Sequence, residues 1–473
     1  MKNRPPLFSK EYLSVDKISG PLMVINQIHE ARYDEIVHVV GGDGRIRIGR
    51  VLQADRQYCL VQVFVGTEGL DLDTSRVRFT GDVARLGISL SMSGRIFNGV
   101  GEPIDDRPQI LPEVYLDLNG FPINPVMRAE PQEFIQTGFS AIDGLYSLAR
   151  GQKLPIFSAS GLPGNRMAVQ IATQARVRMA EKISHEPFTV VFAAIGITKR
   201  ESAAFMEEFK KSGTLSRTVV FLNHADDPTI ERILTPRVAL TVAEYLAFTH
   251  GQHVLVILTD MTNYCEAIRE IAVAREELPG RRGYPGYLYS ELASLFERAG
   301  RLRNKPGSIT QLILLTMPDD DITHPIPDLT GYIAEGQIVL SRNLHQKNIF
   351  PPIDVLPSLS RLMKVAIGEG KTREDHRAVA DQCFALYAEG CDLRRLMAIV
   401  GESALNEQDR QILVFAREFE EQFIHQGETE RDIFETFQIA WNLLRHLPVG
   451  LLKRVTQDQI RKYGTNQEIG FRN

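Results

Sequence analysis

The sequence predicts an α/β chain with flanking domains: a small β barrel or sandwich over residues 1–78, a central and mostly parallel α/β domain over 79–357, and a helical bundle over 358–473. Three observations carry this. Short β-branched runs separated by Gly turns fill the first stretch. Between Gln132 and Pro357, near-continuous apolar runs alternate with helical segments, the pattern expected when both faces of a parallel sheet are covered. Beyond Pro357 no strand is convincing, and apolar residues repeat at helical spacing.

Length and composition agree with several domains. At 473 residues the chain exceeds what one ordinary core holds, and 43% hydrophobic with 24% charged residues is the composition of a folded protein. A net charge of −5 is too nearly balanced for a chain whose main partner is a polyanion, so nucleic acid is disfavoured. Met1-Lys2-Asn3-Arg4-Pro5-Pro6 leads into no apolar core of signal-peptide length, and no run approaches a membrane span. A cytosolic location is expected. Cys59, Cys265, Cys383 and Cys391 make no C-x-x-C pair and read as buried small apolar residues.

In the first domain Tyr58 to Val65 is strand-like, and Gly41-Gly42-Asp43-Gly44 is a turn. From Phe79 to Pro131, Gly- and Pro-rich sequence such as Gly99-Val100-Gly101-Glu102-Pro103 makes a structured connection. The central strands are Leu154 to Ser158, Thr189 to Ile197, Thr218 to Leu222, Val254 to Thr259 and Ile309 to Thr316. Asp227-Pro228 opens a helix with Pro at its first position, and Thr262 to Leu278 forms another that Pro279-Gly280 stops. In the third domain Thr372-Arg373-Glu374-Asp375 resembles a capping box. Three stripes follow: Val379, Cys383, Leu386 and Tyr387; Ile412, Phe415, Phe419 and Phe423; Ile433, Phe437, Trp441 and Leu444. They read as core.

The most informative motif is a phosphate loop that lacks its chemistry. A working loop reads G-x-x-x-x-G-K-[ST], with glycines that let backbone N–H groups wrap phosphate, a Lys that neutralises it and a hydroxyl on Mg²⁺. In Ser158-Ala159-Ser160-Gly161-Leu162-Pro163-Gly164-Asn165-Arg166, Ala159 takes the first Gly position, Gly161 and Gly164 remain, Asn165 replaces the Lys and Arg166 the hydroxyl. The alternative is a Gly-rich strand-to-helix turn with a purely structural role. Asp260, at a strand end, either orients Mg²⁺ or caps the helix at Met261-Thr262. Asp319-Asp320-Asp321 with His324 sits among Pro318, Pro325 and Pro327 and reads as a turn-rich loop, so no metal is assigned. Lys210-Lys211 and Arg281-Arg282 read as solvated ends or interface contacts. Arg361 follows a segment stiffened by Pro351-Pro352 and Pro357, which can present it at a subunit edge; it is either an arginine finger or one half of an interdomain ion pair.

The chain resembles the non-catalytic B subunit of V-type and A-type rotary ATPases nearly end to end. The resemblance rests on Gly94-Arg95-Ile96-Phe97-Asn98-Gly99, Thr137-Gly138-Phe139-Ser140-Ala141-Ile142-Asp143-Gly144, Ala149-Arg150-Gly151-Gln152-Lys153-Leu154-Pro155-Ile156-Phe157, Thr259-Asp260-Met261-Thr262-Asn263-Tyr264, Pro279-Gly280-Arg281-Arg282-Gly283-Tyr284-Pro285-Gly286-Tyr287, Asp320 through Tyr332, and Leu356-Pro357-Ser358-Leu359-Ser360-Arg361-Leu362-Met363. It implies an N-terminal β barrel, a RecA-like nucleotide-binding middle domain and a C-terminal helical domain. It also implies three copies alternating with three catalytic A subunits around a central rotor shaft, with peripheral stalk subunits, on the cytoplasmic face of a membrane reached only through the complex. The complex would couple ATP synthesis or hydrolysis to proton or sodium transport.

The residue roles also follow from the resemblance. Arg361 would act in trans as an arginine finger on MgATP or ADP at the shared interface, with Ser360 and Tyr332 lining it, and the chain would be no enzyme and hold no cofactor of its own. Ile197 stands where a catalytic member would carry the acid that polarises water. The family generally reads G-L-P-H-N followed by an acidic residue, whereas this chain has Gly164 and Arg166; Arg166 either restores charge to the loop or points to solvent. The competing readings are a self-sufficient ATPase with an unusual loop and a Rho-like RecA-fold translocase.

Overall fold

The computed structural model describes residues 11–464 except 14, 21, 27, 29–30, 33–34, 56, 65–66, 121, 180–181, 184–187 and 402–404. The Met1 to Pro6 segment and Val65 lie outside the described residues. Two compact units are formed, Met1–Pro122 with Val191–Leu246 and Asp260–Arg298, and Ile123–Val190 with Ala247–Thr259 and Ala299–Asn473.

The first unit begins with the N-terminal β barrel. Its seven strands lie in the order Glu11–Tyr12, Arg76–Val83, Glu35–Val40, Ile46–Ala54, Tyr58–Val63, Leu22–Asn26, Val15–Ser19. Alternation does much of the sorting: Val37, Val39, Val51, Val61 and Val63 are wholly buried in one core, while Ile36, His38 and Val40 on the strand Glu35–Val40 are half-buried. The unit continues with Ile96–Asn98 parallel to Thr218–His224 and the helices Lys199–Lys211, Thr229–Glu244, Met261–Ala274 and Leu288–Phe296. Pro228 is the N-cap of its helix rather than its first residue. The helix that starts at Met261 ends at Ala274, short of Pro279-Gly280, because Glu276 turns to a φ of 56°. Arg298, with no exposed surface, is held by both oxygens of Glu244 at 2.6 and 2.7 Å.

The second unit carries the other half of the α/β architecture. Its sheet runs Ile353–Ser360, Gly336–Leu340, Lys153–Ala159, Ser308–Met317, His253–Thr259. Lys153–Ala159 lies parallel to both neighbours, and every one of its residues is buried, which is why the sequence there is apolar without alternation. The helical part follows: His376–Val400, Glu407–Glu418, a π turn over Phe419–Ile424, and Ile433–Leu444. All three apolar stripes are buried, Trp441 among the largest side chains of the core. Of the cysteines, Cys391 is only half-buried; Cys59, Cys265 and Cys383 are buried and all four are free. No helix among the described residues is long and apolar enough to cross a membrane.

Two expectations are corrected. Strand structure does not stop at Pro357: Ile353–Ser360 runs through it as an antiparallel edge strand. Pro is tolerated because the register shifts there, Gln337 Nε2 donating to Pro357 O at 3.0 Å and the Val339 N–H turning to Ser358 Oγ at 2.9 Å. Nor do Thr372 to Asp375 form a capping box. Asp375 is the N-cap but caps no N–H, since Arg373 occupies both its oxygens, and Thr372 Oγ1 lies 2.9 Å from His376 Nδ1.

Candidate functional site

The degenerate loop joins the strand Lys153–Ala159 to the helix Gly164–Gln174. Gly161 has a φ of 80°, which only Gly adopts freely, and a Cβ on Gly164 would sit 2.7 Å from Ser158 Oγ, so the surviving glycines keep the turn tight. Its backbone is turned on itself. Leu162 N donates to Ala159 O and Gly164 N to Leu162 O, both at 2.9 Å, so two N–H groups of the kind that cradle phosphate are already engaged. Ala159 is buried at the strand end.

Asn165 and Arg166 are both engaged within the chain. Thr259 Oγ1 donates to Asn165 Oδ1 at 2.5 Å, fixing an uncharged carboxamide where a working loop has an ammonium. Arg166 is exposed in the first turn of its helix, where its guanidinium pairs with Glu428 and lies 4.4 Å from the centroid of the Phe350 ring. The reason is local, since the first turn of its helix faces the segment after Ile424, where Gln170 Nε2 also donates to Glu428 O at 3.1 Å. On the other side Arg342 donates to Ser160 O at 2.9 Å while holding Asp320 at 2.7 Å. That link uses one carboxylate of the Asp319 to Asp321 run; Asp321 bonds Thr323, and His324 caps the helix Pro325–Ile333.

In the first unit, Asp260 caps its helix, Oδ1 accepting from Thr262 N at 2.8 Å. Ile197 is buried at the end of its strand. Lys210 and Lys211 are exposed in the last turn of their helix, and Arg281 and Arg282 are exposed in a short 3₁₀ turn.

Arg361 stands just past the end of the edge strand. Its N–H donates to Glu335 O at 2.8 Å, and its guanidinium donates to Ala334 O at 3.4 Å. The side chain is exposed, and among the described residues no carboxylate pairs with it. Tyr332, 72% exposed, lies on the helix that leads to Ala334. Ser360 turns inward: its hydroxyl accepts from Gln152 Nε2 at 2.9 Å and donates to Ser147 O at 3.3 Å.

Sequence reasoning gave no separate role to the residues that hold this corner. Lys153 Nζ lies 2.8 Å from Glu335 Oε1, Lys153 N donates to Glu335 Oε2 at 2.8 Å, and Gln152, wholly buried, bridges Glu335 and Ser360. The only signal was a polar Gln-Lys pair directly before an apolar strand.

Three family models match in the order of the fold: the ATP synthase alpha/beta family beta-barrel domain over residues 15–81, the nucleotide-binding domain of the same family over 138–360, and the C-terminal domain of V and A type ATP synthase over 365–464. The V-type ATP synthase beta chains of two strains of Thermus thermophilus are each 60% identical to this chain over 460 residues, 97% of it and 96% of each relative. Among solved structures, a unique ATP synthase subunit, NeqB, from Nanoarcheaum equitans superimposes with a TM-score of 0.72 at 39% identity, covering 90% of this chain and all of that one. With a barrel, a nucleotide-binding α/β architecture and a helical C-terminal part in that order, the chain belongs to the ATP synthase alpha/beta family, among its V-type beta chains.

Proposed function

We propose that this chain is the non-catalytic subunit of a rotary ATPase and completes, in trans, ATP sites owned by an adjacent catalytic subunit. Arg361 is the group it lends. The observation that carries the reading is the contrast between two ends of one sheet: an exposed guanidinium beyond Ser360 with no carboxylate partner among the described residues, and a phosphate loop whose Lys position is an amide tied to Thr259.

The residues of the loop do not fit MgATP. No ammonium faces the terminal phosphates, no hydroxyl stands at the position after Asn165, and the Leu162 and Gly164 N–H groups are spent internally. Arg361 does fit a phosphate, since a guanidinium offers forked donors to two oxygens. MgATP or ADP at the shared interface supplies the reacting phosphoryl group; this chain orients charge beside it. Tyr332, exposed on the same edge, lines that interface, and Ser360 supports it from behind. The partners are the catalytic subunit in an alternating ring, a central shaft and peripheral stalks, on the cytoplasmic face of a membrane, with ATP synthesis or hydrolysis coupled to proton or sodium transport.

The test is Arg361→Ala in the reconstituted complex. ATP turnover is expected to fall at least about a hundredfold with assembly intact, a floor below the factor of about 10³ to 10⁵ associated with arginine fingers. Retained turnover, or brisk MgATP hydrolysis by the purified chain alone, overturns the reading.

A further inference from the structure

We infer that Gln152 is a positioning residue for Arg361: a single buried carboxamide ties together the two backbone segments that set where the Arg361 main chain leaves the sheet. This rests on the proposed role of Arg361.

The network is closed and its orientation is fixed by its partners. Gln152 has no exposed surface. Its Oε1 accepts from Ala149 N at 2.9 Å, and its own N–H donates back to Ala149 O at 3.0 Å, which locks the turn before the strand Lys153–Ala159. An amide oxygen that accepts a backbone N–H leaves the nitrogen as the donor, so the flip of the carboxamide is determined. Nε2 donates to Glu335 O at 3.2 Å and to Ser360 Oγ at 2.9 Å.

Glu335 and Ser360 are the two residues on which the Arg361 main chain depends. Glu335 O accepts the Arg361 N–H at 2.8 Å, and Ser360 is the residue before it. The central strand thereby reaches past its neighbour Gly336–Leu340 to fix the tip of the edge strand. Gly336 makes the approach possible: a Cβ there would stand 3.0 Å from Ser360 Cα and closer still to Leu359 O. Past the register shift at Pro357 the edge strand keeps the Leu359–Gln337 and Ser360–Gly336 pairs, and the side-chain bridge adds a fixed point to that short ladder. Displacing a charged group by about 1 Å from a reacting phosphoryl costs on the order of a hundredfold in rate.

The experiment uses Gln152→Met, which keeps length and volume but removes both donors, in the reconstituted complex. The expected result is a kcat lowered at least about tenfold with KM changed less than about twofold, since charge placement in the transition state is lost and ground-state binding is not. In the Arg361→Ala background the same substitution is expected to cost less than about twofold more, because a residue acting through Arg361 has nothing left to position. Exchange of the Arg361 amide in the purified chain should also accelerate. Should Gln152→Met not fold, Ser360→Ala removes one acceptor of the bridge and carries the same test, with a smaller kcat loss that again vanishes without Arg361. An unchanged kcat, or a loss that multiplies with that of Arg361→Ala, overturns the inference. Full turnover in Arg361→Ala alone overturns instead the function on which it rests.

Discussion

Thr259 Oγ1 donates a hydrogen bond to the Asn165 carboxamide oxygen at 2.5 Å, joining the end of one central strand to the helix that follows the degenerate loop. The side chain at the position of the missing lysine is thus a structural strut. Restoring charge alone would not restore a site, because the loop N–H groups of Leu162 and Gly164 already bond to Ala159 O and Leu162 O. Asn165→Lys in the purified chain is expected to give no calorimetric MgATP binding tighter than about 100 μM, or about 5.5 kcal/mol of affinity. A dissociation constant of about 1 μM would show that the loop opens readily and that only the ammonium was lacking.

Arg166 supports the seam between the loop helix and the helical part of the chain, and its contribution is small. Its side chain is 54% exposed and that of Glu428 76%, so solvent screening limits the ion pair to about 0–1 kcal/mol. Stacking on Phe350 adds about 0.5–1 kcal/mol. Arg166→Ala is therefore expected to cost about 0.5–2 kcal/mol in urea unfolding. Arg166→Lys should recover only the part that high salt abolishes, and a loss above about 3 kcal/mol would show that the contact is worth far more than an exposed ion pair.

The fold was legible because periodicity is a local signal: all five central strands lie where apolar runs exceeded four residues, and all three C-terminal stripes are buried. What sequence could not show is what happens when distant groups compete for the same partner. Asp375 reads as part of a capping box until Arg373 and Trp441, 66 residues downstream of Asp375, claim its oxygens. Pro357 reads as a strand end until the neighbouring strand offers Gln337 to its carbonyl. At the candidate site, the departure of Asn165 and Arg166 from a working phosphate loop is legible in the sequence, as is the Pro-stiffened segment that carries Arg361. Its supports, Gln152 and Glu335, are 183 residues apart and meet only in the folded chain.

The Arg373 cluster sets the stability of the helical part. Its guanidinium makes bonds of 2.5 and 2.7 Å to Asp375, whose side chain has no exposed surface, and lies between the rings of Phe437 at 4.7 Å and Tyr463 at 4.3 Å. Trp441 Nε1 donates to the same carboxylate at 2.7 Å. Arg373→Ala leaves a buried charge with only the indole N–H among its side-chain partners here and is expected to cost about 3–5 kcal/mol. The chain has one Trp, so its fluorescence reports this cluster directly. A double variant with Asp375→Asn should recover part of the loss; no recovery would locate the cost in the lost stacking instead.

His376 gives the chain an acid sensitivity of known sign. Burial holds its ring down at about 3, against 6.5 for a free histidine, with Nε2 3.1 Å from Gly144 O and Nδ1 2.9 Å from Thr372 Oγ1. Between those values the unfolded chain binds a proton that the folded chain refuses, so stability present above pH 6.5 is lost as pH falls toward 3, by about 1.4 kcal/mol per unit. Asp143 works in the opposite sense: burial pushes its carboxyl up to about 7, so its share is largest at low pH and lost as pH rises through 7. The two slopes offset each other in the wild-type curve, and only a difference measurement separates them. His376→Gln, which removes the titrating group and retains hydrogen bonding, is expected to cost about 2–3 kcal/mol at pH 7. That cost should shrink by about 1.4 kcal/mol for each unit below pH 6 and change sign near pH 4–5, read from urea midpoints of both proteins across the range. Parallel curves would mean that the ring takes up its proton equally in the folded and the unfolded chain.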